Sequence, residues 1–543
     1  MIGANKKRGS PAGNISSNKV SLGSMDKLTS ILGLKKKGLK VLFVSSEEAP
    51  FAKVGGLGEV VFSLPRALRR LGHDARVMIP LYGNIDREKF KLAYVHKNLS
   101  VPTTPDGGAS VVCNIRKYES KGSDKDPVTT YFLENQEYYE MRSNVYGYTD
   151  DRIRFALLSR GCLEFLSVWK GWIPDIIVCA DWMTGYLPNY LRTEYKDDKA
   201  LANITTVFSI HNLAIQGTDK PQRFTPEMAR DDGYGPIPGL FDARMNDINP
   251  MRRGIIHADI VNTVSPTYAQ EITTEEYGEG LEELLREKHE DLFGILNGID
   301  YKTNNPATDP LLAAKFSSLN FDARKANKAV LQKRLGLPQD KNVFMMGIAS
   351  RISRQKGFVL LQPTIETFLR TTGSQLVVVG TGDTDLMDFF LDLQKKLPTQ
   401  VASIMQYDNI LPHLIFAGCD VLLIPSKYEP SGLTQMEAMR YGTVPVARRT
   451  GGLADTIEDG HPGDSRTTGF LFDNMDPLEL LIAMTRAFSG WRHRAEWKNL
   501  RKRVMEKDFS WDRSAREYAA LFKKAIASRE KNEKNMKKGK KRV

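Results

Sequence analysis

The chain has 543 residues, 41% of them hydrophobic, with a formal net charge of +12. That length predicts two domains with ordinary apolar cores. Residues 1–40 hold nine Lys/Arg against one Asp and residues 521–543 hold ten against two Glu, so each end carries +8 and the body between them is near −4. The basic excess therefore lies in solvated ends and defines no nucleic-acid site, and no run of eighteen apolar residues predicts a membrane span.

Residues 1–39 are expected to form a disordered basic tail. They lack the apolar stretch of a secretory signal, while their basic, serine-containing composition leaves a transit peptide open. The expected location is cytoplasmic, with a plastid stroma as the alternative. Cys113, Cys162, Cys179 and Cys419 have no Cys-x-x-Cys spacing. They are expected as buried free thiols of a reducing compartment and not as a zinc site.

Val41-Leu42-Phe43-Val44 is predicted as a buried strand, and Val60 to Leu68 has helical apolar spacing. Between them runs Lys53-Val54-Gly55-Gly56-Leu57-Gly58-Glu59. Glycines let backbone approach a ligand, helix N-terminal N–H groups are unpaired, and a lysine adds a point charge. The stretch predicts either an anion cradle for a phosphate or a tight turn with an exposed lysine. It matches neither a Walker A loop nor Gly-x-Gly-x-x-Gly.

Further strands are expected at 75–79, 130–133, 175–179 and 205–209, with amphipathic segments such as Asp151 to Trp169 between them. A second series follows at 343–349, 375–379, 401–406, 421–424 and 443–446. Strands alternating with helices predict an α/β fold of two Rossmann-like, doubly wound parallel sheets facing a cleft. The expected division is a first domain over 40–300, a second over 301–510, a final helix over 511–527 that crosses back to the first domain, and a basic tail over 528–543.

In doubly wound sheets ligands bind beyond the carboxyl ends of the strands. Four such loops are more polar than packing needs: Ala180-Asp181-Trp182, Ile210-His211-Asn212, Ser350 to Gly357 with Arg351, Arg354 and Lys356, and Ser426 to Met439 with Glu429, Gly432, Leu433 and Thr434. A helix starting near Leu433 would aim unpaired N–H groups at the cleft, and Glu429 is suited to accept hydrogen bonds from sugar hydroxyls. Taken singly, Glu429 could be an exposed loop acid, and Arg351 and Lys356 a solvated helix start. Arg448-Arg449 with Gly451-Gly452 adds two arginines.

These motifs, together with Val264-Ser265-Pro266-Thr267-Tyr268-Ala269 and Ile295-Leu296-Asn297-Gly298-Ile299-Asp300, resemble bacterial glycogen synthases and plant starch synthases in order from about residue 40 to 522. The resemblance implies the GT-B glycosyltransferase fold. It also implies retaining transfer of glucose from ADP-glucose to the non-reducing 4-OH of an α-1,4-glucan. By this resemblance Arg351 and Lys356 neutralise the departing diphosphate, assisted by the backbone near Gly432, Leu433 and Thr434. Lys53, Gly55 and Gly56 close over it, and Glu59 lies near the sugar and acceptor side. Glu429 holds the glucose hydroxyls, Asp181 and His211 line the sugar site, and Tyr407 stacks on the base, its alternative being a packed strand-end tyrosine. The cations supply the charge a metal would supply, so no metal or cofactor is expected. The competing readings are another retaining GT-B transferase, UDP-glucose as donor, and a glucan-binding or primer-organising protein. The family usually has Thr at Val54, Asp at Glu59, His at Met183, Lys at Arg252 and Trp-Asn-Pro at Asn304-Asn305-Pro306, and residues 218–253 match weakly.

Overall fold

The computed structural model describes residues 38–119, 126–169, 171–218 and 231–540. The tail and transit peptide considered for residues 1–39 lie outside the described residues up to position 37, as do residues 219–230 of the weakly matching segment 218–253.

The first sheet has nine strands: β1 (Lys40–Val44), β2 (Asp74–Pro80), β3 (Ala93–Pro102), β4 (Ser110–Glu119), β5 (Thr129–Glu134), β6 (Ile176–Ala180), β7 (Thr205–Ile210), β8 (Ile260–Thr263) and β9 (Leu292–Gly294). Their spatial order is β3-β4-β5-β2-β1-β6-β7-β8-β9. The second sheet has six strands: β10 (Met345–Ala349), β11 (Gln375–Val379), β12 (Val401–Ile404), β13 (Val421–Ile424), β14 (Val444–Arg448) and β15 (Phe470–Phe472). Their order is β12-β11-β10-β13-β14-β15, all parallel. This is the Rossmann strand order, and the first sheet repeats it outward from β1.

The second sheet is buried on both faces, which is why its strands read as continuous apolar runs. Met346, Ile348, Leu376 and Val378 enter the core on one face. Met345, Val377 and Val379 enter the core on the other, as the two-residue strand period requires.

One expectation is corrected. The first sheet is not purely parallel, because β4 runs antiparallel to both β3 and β5. This edge pair escaped sequence reading because β3 is largely exposed and its register shifts twice, between Tyr94 and His96 and between His96 and Leu99. Short β8, β9 and β15 were also not predicted, since three or four residues give little periodicity.

The chain passes between the sheets twice, side by side: Ile299 N–H donates to the Phe509 carbonyl at 2.8 Å and Ile299 bridges Ser510. A helix from Trp511 to Lys540 then begins. Its Ala515, Tyr518, Leu521, Phe522 and Ala525 join the core of the first sheet. Asn262 Nδ2 donates to Tyr518 Oη at 3.0 Å. The helix runs on past residue 527, so residues 528–540, expected as a tail, are helical. All four cysteines are buried free thiols. No helix among the described residues is long and apolar enough to cross a membrane.

Candidate active site

Strand order reverses between β10 and β13 in the second sheet and between β1 and β6 in the first. Such reversals open a crevice at the carboxyl ends of the strands. The polar loops singled out from the sequence leave these strands.

In the second sheet the loop after β10 carries Arg351 and Lys356, and the loop after β13 carries Glu429. Lys356 Nζ lies 2.6 Å from Glu429 Oε2, with the side chains 17% and 11% exposed. Ser426 Oγ donates to the same oxygen at 3.0 Å. Glu429 Oε1 accepts no hydrogen bond from the described residues. Gly357 explains how the two loops meet. Its φ is +72°, and a Cβ there would stand 1.8 Å from the Pro425 carbonyl oxygen. No side chain fits, so the loops touch through backbone. Lys427 N–H donates to the Gln355 carbonyl at 2.8 Å and secures the contact. Arg351 is exposed, and its only side-chain hydrogen bond among the described residues is a long one of 3.4 Å to Gln355 Oε1. Arg354 is turned away, 2.6 Å from Asp385 Oδ2.

Past Glu429 the chain turns at Gly432, and a helix from Thr434 to Arg440 follows Leu433. Tyr407, beyond β12, is 83% exposed, which excludes the packed strand-end alternative and leaves its ring open for stacking.

In the first sheet the Lys53 loop leads into a helix that begins at Gly56, earlier than its apolar spacing suggests. Lys53 Nζ pairs with Glu59 Oε2 at 2.7 Å. Val54 N–H and Gly55 N–H donate to Glu47 Oε2 at 2.7 and 2.9 Å. Gly55, expected at a bound anion, thus has its N–H turned inward to Glu47. Gly56 faces the other domain: a Cβ there would lie 3.7 Å from Leu433 Cδ1. The two predicted anion-binding loops are therefore apposed across the cleft.

Asp181 follows β6 with φ +56°, a strained conformation for a residue with a side chain. Its Oδ1 accepts the N–H groups of His211 at 2.6 Å and Asn212 at 3.3 Å. It thereby shapes the His211 loop, and Met183, where the family pattern has histidine, is buried. Burial pushes the Asp181 carboxyl up to about 7, against those N–H groups, with the charge of Glu47 adding to the rise. Burial pushes His211 down to about 4, so its imidazole is neutral at neutral pH. Nε2 of His211 lies 3.2 Å from Ser209 Oγ.

Sequence reading missed how the domains are joined. The Pro266–Glu271 helix of the first domain and the Gly451–Thr456 helix of the second cap one another. Asp455 accepts the Thr267 N–H and Oγ1–H, both at 2.8 Å. Glu271 accepts the Gly451 N–H at 3.0 Å and Thr450 Oγ1–H at 2.9 Å. Gly452 N–H in turn donates to the Glu429 carbonyl at 3.0 Å, and Ser265 Oγ to the Pro430 carbonyl at 2.7 Å. Arg448 is a brace and not a cleft cation: it is buried, donating to the carbonyls of Ser426, Lys427 and Asp473 and to Tyr277 Oη. Arg449 pairs with Asp473 at 2.7 Å.

The starch synthase catalytic domain model matches residues 40–287, and the glycosyl transferases group 1 model matches residues 327–504. The glycogen synthase of Gloeobacter violaceus is 40% identical over 493 residues, covering 90% of this chain and 99% of that protein. The chain belongs to the glycogen/starch synthase family of glycosyltransferases. Glycogen synthase from Thermotoga maritima is 40% identical over 498 residues, covering 90% of this chain and 99% of its own. The catalytic domain of starch synthase IV from Arabidopsis thaliana, solved bound to ADP and acarbose, superposes with a TM-score of 0.77 at 33% identity. That match covers 90% of this chain and all of the other. The fold is accordingly GT-B. Sucrose-phosphate synthase from Thermosynechococcus elongatus shares the fold, with a TM-score of 0.55 at 18% identity.

Proposed function

We propose that this glycogen/starch synthase transfers glucose from ADP-glucose to the non-reducing 4-OH of an α-1,4-glucan, with retention. The second domain, 301–510, takes the nucleotide sugar, and the first, 40–300, takes the acceptor. The four buried thiols suit a reducing compartment, the cytoplasm or a plastid stroma.

The observation that carries this reading is the Lys356–Glu429 pair at the strand-order reversal of the second sheet. As the bond from C1 to the β-phosphate oxygen breaks, negative charge grows on the departing diphosphate. Lysine has three donors, so Lys356 can keep Glu429 and still meet that oxygen. Arg351, five residues before Lys356 on the same loop, adds a second positive charge. Preorganised groups of this kind are typically worth about 10²–10³-fold each in turnover. Glu429 Oε1 is left to accept glucose hydroxyls. Lys53 reaches the same space from the first domain, and the backbone from Gly432 to Thr434 faces it. The acceptor 4-OH attacks C1 from the face the diphosphate leaves, the new C1–O4 bond replaces the C1–phosphate bond, and the proton goes to the diphosphate. Neutral His211 and the loop that Asp181 holds frame the sugar, and Tyr407 offers its ring to the base.

The support for ADP in particular is the starch synthase solved with ADP, which is a relative and not this chain. Incubation with a glucan primer and either ADP-glucose or UDP-glucose, followed by nucleoside diphosphate release and primer length, tests the donor directly. Faster turnover with UDP-glucose overturns the donor assignment. Glucan binding with no release from either donor overturns transfer itself in favour of a glucan-binding role.

A further inference from the structure

Three glycines and a lysine suggest a loop that cradles phosphate with its backbone. In this chain the cradle already holds an anion. Glu47, 3% exposed, follows β1 and places Oε2 on the N–H groups of Val54 and Gly55 at 2.7 and 2.9 Å. Tyr146 Oη donates to Oε1 at 2.5 Å and lies 2.8 Å from Ser46 Oγ. Three donors converge on one buried side chain, an arrangement that suits an acceptor-only carboxylate. The third glycine fits the same purpose. A Cβ on Gly58 would come 3.2 Å from Glu47 Oε2 and 3.3 Å from Lys53 Cα, tighter than side chains normally pack.

We propose that Glu47 is a positioning residue for donor binding, an internal anion that occupies the inward amides of the Lys53 loop. The loop then meets the donor diphosphate through the Lys53 ammonium and through the approach of Gly56 to Leu433, not through the amides of Val54 and Gly55. This inference rests on the donor-site reading given above. It assigns Glu47 no contact with substrate: it acts through the loop.

The test uses the full chain with Glu47→Gln and, as a second route to the same contact, Gly58→Ala. Amide hydrogen exchange needs no substrate. In Glu47→Gln the amides of Val54 and Gly55 are expected to exchange about ten-fold faster or more, because a charge-assisted acceptor is lost, while the amides of β1 are unchanged. In both variants KM for the nucleotide sugar is expected to rise about ten-fold or more, with glucan affinity within about two-fold of the original. Exchange and donor KM both within about two-fold of the original chain would overturn the inference. So would donor KM, glucan affinity and thermal midpoint all moving together, which is the mark of a merely structural role. If the original chain transfers no glucose while the two amides still respond in Glu47→Gln, the donor-site reading fails and the loop contact stands.

Discussion

Lys356 Nζ and Glu429 Oε2 are 2.6 Å apart, held by loops that leave neighbouring strands where the order of the second sheet reverses. The site is thus partly assembled before any donor enters. Each charge is the other's partner in a half-closed crevice, so removing one leaves the other poorly solvated and unpaired. The pair orients both groups: Glu429 is held by Lys356 and Ser426 through one oxygen, which frees the other for a sugar hydroxyl.

The reciprocal caps between the Pro266–Glu271 and Gly451–Thr456 helices connect this pair to the first domain. Replacing Glu271 with Ala strips the acceptor from Gly451 N–H and Thr450 Oγ1. A loss of about 1–2 kcal/mol in stability is expected, in the range of helix caps. Turnover should fall as well, because the next amide, Gly452 N–H, holds the Glu429 carbonyl. Thermal unfolding together with kcat checks this. A stability loss with unchanged kcat would show that the caps do not support the catalytic loop.

Glu48 is fully buried against Thr130 and near Arg66, and burial pushes its carboxyl from its ordinary value near 4.5 up to about 8. The folded chain therefore holds a proton that the unfolded chain releases, and stability falls as pH rises through that window. Glu48→Gln is always neutral. Its thermal midpoint should exceed the original at pH 8 and match it at pH 4.5. Equal midpoints at pH 8 would mean that Glu48 is not held protonated.

With His211 depressed to about 4 by burial, its titration does not shape activity near neutrality. The profile of kcat/KM against pH should show no limb near 6.5 that His211→Asn removes, although that variant should itself turn over more slowly. Below 6.5 the unfolded chain takes up the proton first, so this histidine lowers stability as pH falls toward 4.

Tyr407 is 83% exposed, so its replacement disturbs no core. Tyr407→Ala should raise the donor KM by about 5–100-fold, the worth of one base–aromatic stack, with the thermal midpoint unchanged. An unchanged KM would remove Tyr407 from the donor site.

Much of this architecture is legible in the sequence because both sheets bury their central strands. Val41 to Val44 and Val421 to Ile424 read as apolar runs for that reason, and the loops that follow them stand out by their polarity. The β3–β4 pair did not stand out, because one strand is exposed and irregular. The Lys53 loop shows the limit of motif reasoning. Its glycines announce an unusual backbone, but not which way its amides point. Only the fold brings Glu47, six residues upstream of Lys53, beneath them. Arg448 and Arg449 are two adjacent arginines in sequence, yet three carbonyls and a tyrosine claim Arg448, which sequence spacing cannot reveal. The cross-domain caps join residues about 180 apart and leave no local trace.

The most direct test of the donor site is steady-state kinetics of Lys356→Ala alongside its glucan affinity. The expected result is a fall in kcat of about 10²-fold or more, as for loss of one preorganised transition-state group, with glucan binding retained. Turnover within about two-fold of the original chain would contradict the placement of the departing diphosphate at Lys356.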